Sequence, residues 1–461
     1  MVERWSGHLL VLGLGTSGEA AASWALEQAE AGAPVRVTVV DSGSGDLLER
    51  RAGTLRARGA EVRLGTNEVP EADLVIASPG IPPASPLMVA VSALGVPVIS
   101  EIELAYRISL APWIAVTGTN GKTTTTGLIV HLLREAGFVA EPAGNFGPPA
   151  VCVASETGRA GIIVAEVSSF QLARIERFHP RVAVLLNITP DHLDYHGTME
   201  AYAADKARIF ANQAPGDTAV IDVDDPGSAA LAPVVGERGV DVLRVSRTAP
   251  QAPGAFVSNG SIVADIGHGP VEVLPVRELS LRGEHNVSNA LAAVAAALAM
   301  GASPTAVARG LRTFAPIEHR LEPAGVAGGV EYFNDSKATN PDAVIKALTA
   351  FDGREIVLLL GGRNKGVDLG PLAAAAAERC ASVIIFGEAA PEFAAAFTAI
   401  GAPATVTVAL ADAVAEAARI AGTGDVVLLS PGCTSFDEFG NYQERGRRFK
   451  ELVASLSVVT G

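Results

Sequence analysis

The sequence predicts an α/β chain of three units built on parallel sheets with covering helices, and three observations predict it. Short Val/Ile/Leu runs alternate with alanine-rich helical stretches along the whole chain. The strand-and-helix count starts afresh twice, near residues 105 and 317. Glycine-rich turns follow apolar strands and open helices, as at the carboxyl edge of an open parallel sheet. The 461 residues are enough for roughly three folding units. With 49% hydrophobic residues, each unit has material for a core.

In the first unit, residues 1–105, apolar runs at 9–12, 35–40, 74–77 and 96–99 read as buried strands, each stopped by Gly, Ser, Pro or an acid. This is a Rossmann-like pattern. A helix at 101–108 leads through Pro112 to a strand at 113–116, which belongs to the second unit, residues 106–316. Strands at 162–167, 182–186 and 219–223 and a helix at 198–212 extend it. The alternation at 255–266 around Asn259-Gly260 is a hairpin signal, and with a strand at 271–281 it predicts an antiparallel section. A helix at 287–300 follows. The third unit, residues 317–461, is again Rossmann-like, with strands at 330–333, 356–360, 382–386 and 426–430.

Charge narrows the function. Lys plus Arg total 35 against 50 Asp plus Glu, a formal net charge of -15, with no basic run, so a nucleic-acid partner is not expected. A polyanionic substrate would have to be held locally, by glycine loops, helix N-termini, single lysines and metal ions. Cys152, Cys380 and Cys433 are far apart and form no C-x-x-C pair, which points to a reducing compartment. The apolar run at 9–14 is too brief for a signal peptide, and no stretch supplies a membrane span. A soluble cytoplasmic protein without membrane insertion is the expectation.

The string Gly13-Leu14-Gly15-Thr16-Ser17-Gly18 follows a strand, opens a helix and is trailed by Asp41 at the end of the next strand. It leaves three readings open: an NAD site, a purely structural turn, or a site for another diphosphate such as a nucleotide diphosphate sugar. Gly118-Thr119-Asn120-Gly121-Lys122-Thr123-Thr124 is more specific. Its backbone N–H groups would cradle phosphates, Lys122 would reach the outer ones and the Thr123 hydroxyl would ligate Mg²⁺. It departs from the usual phosphate loop in having Val116 where the first glycine stands. Two phosphate loops on separate units suit an enzyme that consumes ATP on a substrate carrying its own diphosphate better than they suit a dehydrogenase. Glu166 ends a strand and lies where a carboxylate can reach the loop metal, and Asp191, His192, Asp194 and His196 crowd another loop at the same edge, fit for a second cation or a proton acceptor. The third unit places strings 334–340, 361–365 and 430–436 after its own strands, with Asn340-Pro341 as an N-cap and first-turn pair.

Together the string 118–124, Glu166-Val167-Ser168-Ser169-Phe170-Gln171-Leu172, the strings 187–194 and 284–289, Asn334-Asp335-Ser336-Lys337-Ala338-Thr339-Asn340, and 430–439 resemble the Mur ligases over essentially the whole chain. E-V-S-S-F-Q-L with N-D-S-K-A-T-N is similar to the branch that joins D-glutamate to UDP-N-acetylmuramoyl-L-alanine. The string 191–200 is similar to a sister that adds a diamino acid, although the acceptor motif D-N-P-R of that sister is absent. The resemblance implies a three-domain architecture: an N-terminal Rossmann-like domain for the UDP-sugar, a central ATP-binding domain, and a C-terminal Rossmann-like domain for the amino acid. It implies ATP-driven amide formation through an acyl phosphate, in peptidoglycan synthesis and hence in cell-wall biogenesis, cell shape and division.

The resemblance also implies residue roles. Lys122, Glu166, His192 and Lys206 would be catalytic, with Thr123 and Glu166 serving one Mg²⁺ and His192 with carbamylated Lys206 a second. Gly118, Thr119, Asn120, Gly121, Lys122, Thr123, Thr124, Asn286, Asn289, Arg320 and Asp335 would hold ATP. Gly15, Thr16, Ser17, Ser42, Ser78, Pro79, Gly80, Asn145, Ser168 and Gln171 would line the UDP-sugar. Lys337, Thr339, Lys365, Ser435, Phe436 and Tyr442 would meet the glutamate, the two lysines pairing with its carboxylates. Asp41-Ser42-Gly43 lacks the arginine some family members carry there, and Gly432-Cys433-Thr434 replaces a more usual A-C-A. The expected partners are therefore small molecules, acting on a monomer. The alternatives are a sister ligase adding L-glutamate or a diamino acid, an NAD-dependent Rossmann dehydrogenase, and a nucleotide-sensing interaction module.

Overall fold

Apolar strands ending in glycine or acid residues assemble into three sheets in this computed structural model, which describes residues 6–281, 283–315, 318–351 and 353–459, with Asp194 and 457–459 in backbone only. The first sheet has β1 (Gly7–Leu12), β2 (Val35–Asp41), β3 (Glu61–Leu64), β4 (Leu74–Ala77) and β5 (Val98–Ser100) in the order β3-β2-β1-β4-β5, all parallel. The order reverses between β1 and β4, and the glycine turn after β1 lies at that switch point, where α/β sheets bind ligands.

The second sheet contains β6 (Trp113–Thr117), β7 (Val139–Gly144), β8 (Gly161–Glu166), β9 (Val182–Leu185), β10 (Thr218–Asp222), β11 (Asp241–Ser246), β12 (Gly254–Ser258), β13 (Ser261–Asp265) and β14 (Val271–Pro275). Their order is β14-β13-β12-β11-β10-β9-β6-β8-β7. The pairs from β7 to β12 are parallel, while β12-β13 and β13-β14 are antiparallel, as the hairpin signal predicts. Asn259 and Gly260 have φ of 49° and 74°, the left-handed pair that a two-residue hairpin turn demands.

The third sheet is β15 (Glu322–Ala327), β16 (Val330–Asn334), β17 (Ile356–Gly361), β18 (Ser382–Phe386), β19 (Thr405–Val406) and β20 (Val426–Gly432), ordered β15-β16-β20-β17-β18-β19. Only β15 runs antiparallel to its neighbour. Leu358 and Leu360 pack on one face with Phe333 and Phe393, and Val357 and Leu359 on the other with Tyr332 and Phe449, the two-residue period of a strand buried on both faces.

The chain divides into two compact units: 1–188 with 195–277 and 290–311, and 189–194 with 278–289 and 312–461. The first holds both the first and second sheets, and one buried cluster runs through it from Leu9 to Val242. Within that cluster Tyr106, Trp113 and Phe178 meet edge to face at 5.7 to 6.2 Å between centroids.

Several elements differ from the sequence expectation. The helix expected at 198–212 is an α-helix over Met199–Ala207 that tightens into a 3₁₀ turn, Arg208–Phe210. The strand expected at 271–281 stops at Pro275 and gives way to a 3₁₀ turn, Val276–Glu278. The strand expected from residue 96 starts at Val98, because Pro97 cannot donate to the ladder. Strands β3, β7, β11, β15 and β19 were not predicted, and all but β11 lie at a sheet edge, where one-sided burial tolerates Pro142, Pro323 and charged residues.

Candidate active site

The first unit builds two glycine turns, each leading from a buried parallel strand into a helix. After β1, Gly13 takes φ 82° and donates its N–H to Val40 O, and the helix Thr16–Glu30 starts with Gly15 as an N-cap that makes no side-chain bond. A side chain at Gly18 would collide with the Gly13 carbonyl oxygen, so this glycine permits the close strand-to-helix packing. Asp41 braces the turn: its carboxylate accepts from Leu14 N at 2.6 Å and from Gly43 N at 2.8 Å. Ser78 Oγ donates to Gly13 O at 3.1 Å. Thus Gly15, Thr16 and Ser17 lie at the start of the helix, with Ser42, Ser78, Pro79 and Gly80 on the loops after β2 and β4 of the same sheet.

After β6, Gly118 and Gly121 take φ of 155° and 84°, and the helix Lys122–Glu135 begins. Asn187, at the end of β9, pins this turn: its main-chain O accepts from Thr119 N, its Oδ1 accepts from Asn120 N, both at 2.8 Å, and its amide donates back to Asn120 O at 3.1 Å. Lys122 Nζ donates to the carbonyls of Gly118 and Thr119 at 2.8 Å. Buried Thr123 donates its hydroxyl to Glu166 Oε2 at 2.7 Å, and Asn145 Nδ2 donates to Glu166 Oε1 at 2.6 Å. Register explains the meeting, since Glu166 lies opposite both Val116 of β6 and Gly144 of β7.

Lys206 is buried although it lies on a helix, Met199–Ala207, that has exposed positions. It is only 2% exposed, its Nζ donates to Gly118 O at 2.8 Å, and it lies 4.5 Å from the Tyr202 ring centroid. Tyr202 in turn places its hydroxyl 3.1 Å from Thr119 Oγ1. Two ammonium groups, Lys122 and Lys206, therefore converge on a single carbonyl oxygen. Thr119, Asn120 and Thr124 sit in the same turn and first helical turn. Ser168 and Gln171 form a capping box at the one-turn helix Ser169–Leu172 that follows β8.

His196 is turned to Ser169 and Asp205, 3.0 and 2.9 Å from its two ring nitrogens, because its ring stacks on Phe170 with 4° between planes. The Asp194 side chain lies outside the described residues. Asp191 and His192 belong to the second unit, where the His192 N–H donates to Asp191 Oδ1 at 2.9 Å. Buried Asp191 also meets Asn340 Nδ2 at 3.2 Å and Lys365 Nζ at 3.4 Å.

In that second unit Asn340 caps the helix Pro341–Leu348 through Ala343 N at 2.8 Å, as its sequence predicts. Asp335 is buried, accepts from Ser430 Oγ at 2.8 Å and feels the Arg320 guanidinium; burial is the larger influence and pushes its carboxyl up to about 6. Lys337 Nζ lies 5.4 Å from the Tyr442 ring centroid, while Thr339 is half-buried, Ser435 is buried and Phe436 is exposed. Asn289 donates to Asn286 Oδ1 at 3.0 Å one turn apart on the helix Glu284–Ala299. Sequence reading missed Arg445, wholly buried on the C-terminal helix, which donates to Ser336 O at 2.9 Å and Cys433 O at 3.2 Å and so ties the two loops together.

Comparison with known proteins places this geometry. Residues 116–297 match the Mur ligase middle domain and residues 319–433 the Mur ligase glutamate ligase domain. The UDP-N-acetylmuramoylalanine–D-glutamate ligase of Pelotomaculum thermopropionicum is 45% identical over 454 residues, 97% of this chain and 97% of that protein. The chain belongs to the Mur ligase family. The enzyme of the same description from Koribacter versatilis is 41% identical over 98% of each chain. Solved Mur ligase structures share the fold. The UDP-N-acetylmuramate–alanine ligase MurC of Thermotoga maritima has a TM-score of 0.59 at 19% identity, covering 97% of this chain and 99% of that one. MurF of Acinetobacter baumannii has a TM-score of 0.63 at 17% identity, covering 92% and 90%. Membership in the Mur ligase family removes the dehydrogenase alternative and the non-enzyme one, and it agrees with an Asp41 whose two carboxylate oxygens already accept backbone N–H groups of the turn.

Proposed function

We propose that this chain joins D-glutamate to UDP-N-acetylmuramoyl-L-alanine at the expense of ATP, a cytoplasmic step of peptidoglycan precursor synthesis. The observation that carries this reading is the Thr123–Glu166 pair, oxygen to oxygen at 2.7 Å, beside a glycine turn on which Lys122 and Lys206 converge. A hydroxyl and a carboxylate are hard oxygen donors that fit Mg²⁺, and Asn145 holds the second carboxylate oxygen in place. Magnesium, when bound, supplies positive charge to the nucleotide phosphates.

The carboxylate of the acceptor takes the terminal phosphoryl group of ATP, ADP departs, and the glutamate amine then displaces phosphate from the acyl phosphate. Lys122 exchanges its two carbonyl partners for phosphate oxygens and stabilises their charge during transfer. Gly118, Thr119, Asn120, Gly121 and Thr124 contribute backbone and side-chain donors around those phosphates, and Asn286, Asn289, Arg320 and Asp335 are assigned to the rest of the nucleotide. Lys206 as its carbamate would offer oxygen ligands to a metal in place of an ammonium beside Lys122, His192 would be a further metal ligand, and two Mg²⁺ would supply positive charge to the phosphates.

The first-sheet loops with Asn145, Ser168 and Gln171 take the UDP-sugar, and Lys337, Thr339, Lys365, Ser435, Phe436 and Tyr442 take glutamate. Domain limits of 1–105, 106–316 and 317–461 follow this division of ligands. No described helix is long and apolar enough to cross a membrane. The chain works as a monomer on small molecules, without nucleic acid.

Phosphate release tests the reading. Release is expected only when ATP, Mg²⁺, UDP-N-acetylmuramoyl-L-alanine and D-glutamate are all present. Faster release with L-glutamate or a diamino acid would reassign the chain to a sister activity, and release without an amino acid would remove ligation altogether. Density beyond Nζ of Lys206 in a crystal tests the carbamate.

A further inference from the structure

The proposed function leaves one hydrogen-bonded chain without a role: Ser169 Oγ, His196 and Asp205. His196 Nδ1 lies 2.9 Å from Asp205 Oδ2, and its Nε2 lies 3.0 Å from Ser169 Oγ. A carboxylate only accepts, so Nδ1 carries the proton, and in the neutral ring Nε2 accepts the Ser169 hydroxyl. The side chain is 1% exposed, stacked on Phe170 at 5.3 Å and flanked by the rings of Tyr195 at 4.8 Å and Tyr202 at 5.1 Å, so the ring has one orientation.

What the two ends hold gives the ring its use. Ser169 is the first residue of the one-turn helix whose capping box is Ser168 and Gln171, both assigned to the UDP-sugar. Asp205 precedes Lys206 on the helix Met199–Ala207, which also sends Lys206 and Tyr202 to the phosphate turn.

We propose that His196 is a positioning residue that ties the sugar-binding turn to the helix carrying Lys206, each half of the ring serving one of them. The inference rests on the functional reading above. Asparagine keeps a donor near the Nδ1 position and glutamine keeps an acceptor near the Nε2 position, so the two halves separate. His196→Asn is expected to raise KM for UDP-N-acetylmuramoyl-L-alanine about tenfold with kcat nearly retained, and His196→Gln to lower kcat about tenfold with that KM nearly retained. KM for D-glutamate stays unchanged in both.

Equal and parallel changes in KM and kcat for the two variants, or no change in either, would overturn the proposal, since a ring that only fills space has no such asymmetry. Melting temperatures confirm that both variants fold. A second readout does not need turnover: ¹⁵N spectra of the histidine rings should show His196 as the Nδ1–H form in the wild type and lose that form in Asp205→Asn. An inactive wild type with this signature would sink the functional reading and leave the bridge standing, whereas an active wild type without the signature sinks the bridge alone.

Discussion

The glycine turns after β1 and β6 share a design and differ in chemistry. Both follow a buried parallel strand, both place glycine at a positive φ, and both open a helix. The turn after β1 has no cation within it, receives the Arg51 guanidinium on Leu14 O at 2.9 Å, and is braced by Asp41, whose carboxylate accepts backbone N–H groups. The turn after β6 brings Lys122, receives Lys206 from a distant helix, and faces Glu166. The two turns thus differ in the backbone of the N-cap residue, extended at Gly15 and left-handed at Gly121, as well as in the side chains they gather.

Two changes test that contrast, and a third serves as a control. Lys122→Ala is expected to lower turnover about 10³-fold while calorimetric affinity for the UDP-sugar stays that of the wild type, because only the second turn loses its charge. Loss of UDP-sugar binding in that variant would merge the two turns into one functional unit. A control away from both turns comes from Glu101, wholly buried with Oε1 accepting from Val151 N at 2.6 Å and Oε2 without a hydrogen-bond partner.

Burial pushes the Glu101 carboxyl from 4.5 up to about 7, so the folded protein holds this proton more tightly than the unfolded chain. Its contribution to stability is complete below the ordinary value, falls as pH rises through about 7 and is level beyond. Glu101→Gln should flatten that decline, gaining up to about 3 kcal/mol relative to the wild type at pH 8 in urea unfolding, with KM for both nucleotides unchanged. A wild type whose unfolding midpoint is constant from pH 5 to pH 8 would rule this out. The smallest effect is expected of Asp41→Asn, which keeps one acceptor and loses the other: KM for the UDP-sugar should rise about tenfold and KM for ATP should not move. A change in the ATP constant alone would show that the first turn is not a separate site.

Legibility followed burial. Strands in sheet interiors, such as β1, β6, β17 and β20, are continuous apolar runs flanked by glycine or polar residues, and their positions were readable. The edge strands β3, β7 and β15 carry prolines or charges and β19 is only two residues long, and none of the four was readable, because one-sided pairing relaxes the pattern. Strand β11 is interior, yet Arg244 interrupts its run. In the site, Lys122, Thr123, Glu166 and Asn340 were readable from loop and cap chemistry. Arg445 was not: it acts on Ser336, 109 residues away, and nothing in its own neighbourhood marks it.

Local patterns thus state which segments become strand, turn or helix, and which loop bears a lysine and a threonine where phosphate is bound. They do not bring Thr123 to Glu166 across 43 residues, nor bury Lys206 beside Gly118 across 88. Those meetings come from strand order: β6 lies between β8 and β9, and register sets Glu166 beside Val116. Pairing of non-adjacent strands depends on how the whole sheet buries its two faces, a property that no window of neighbouring residues contains.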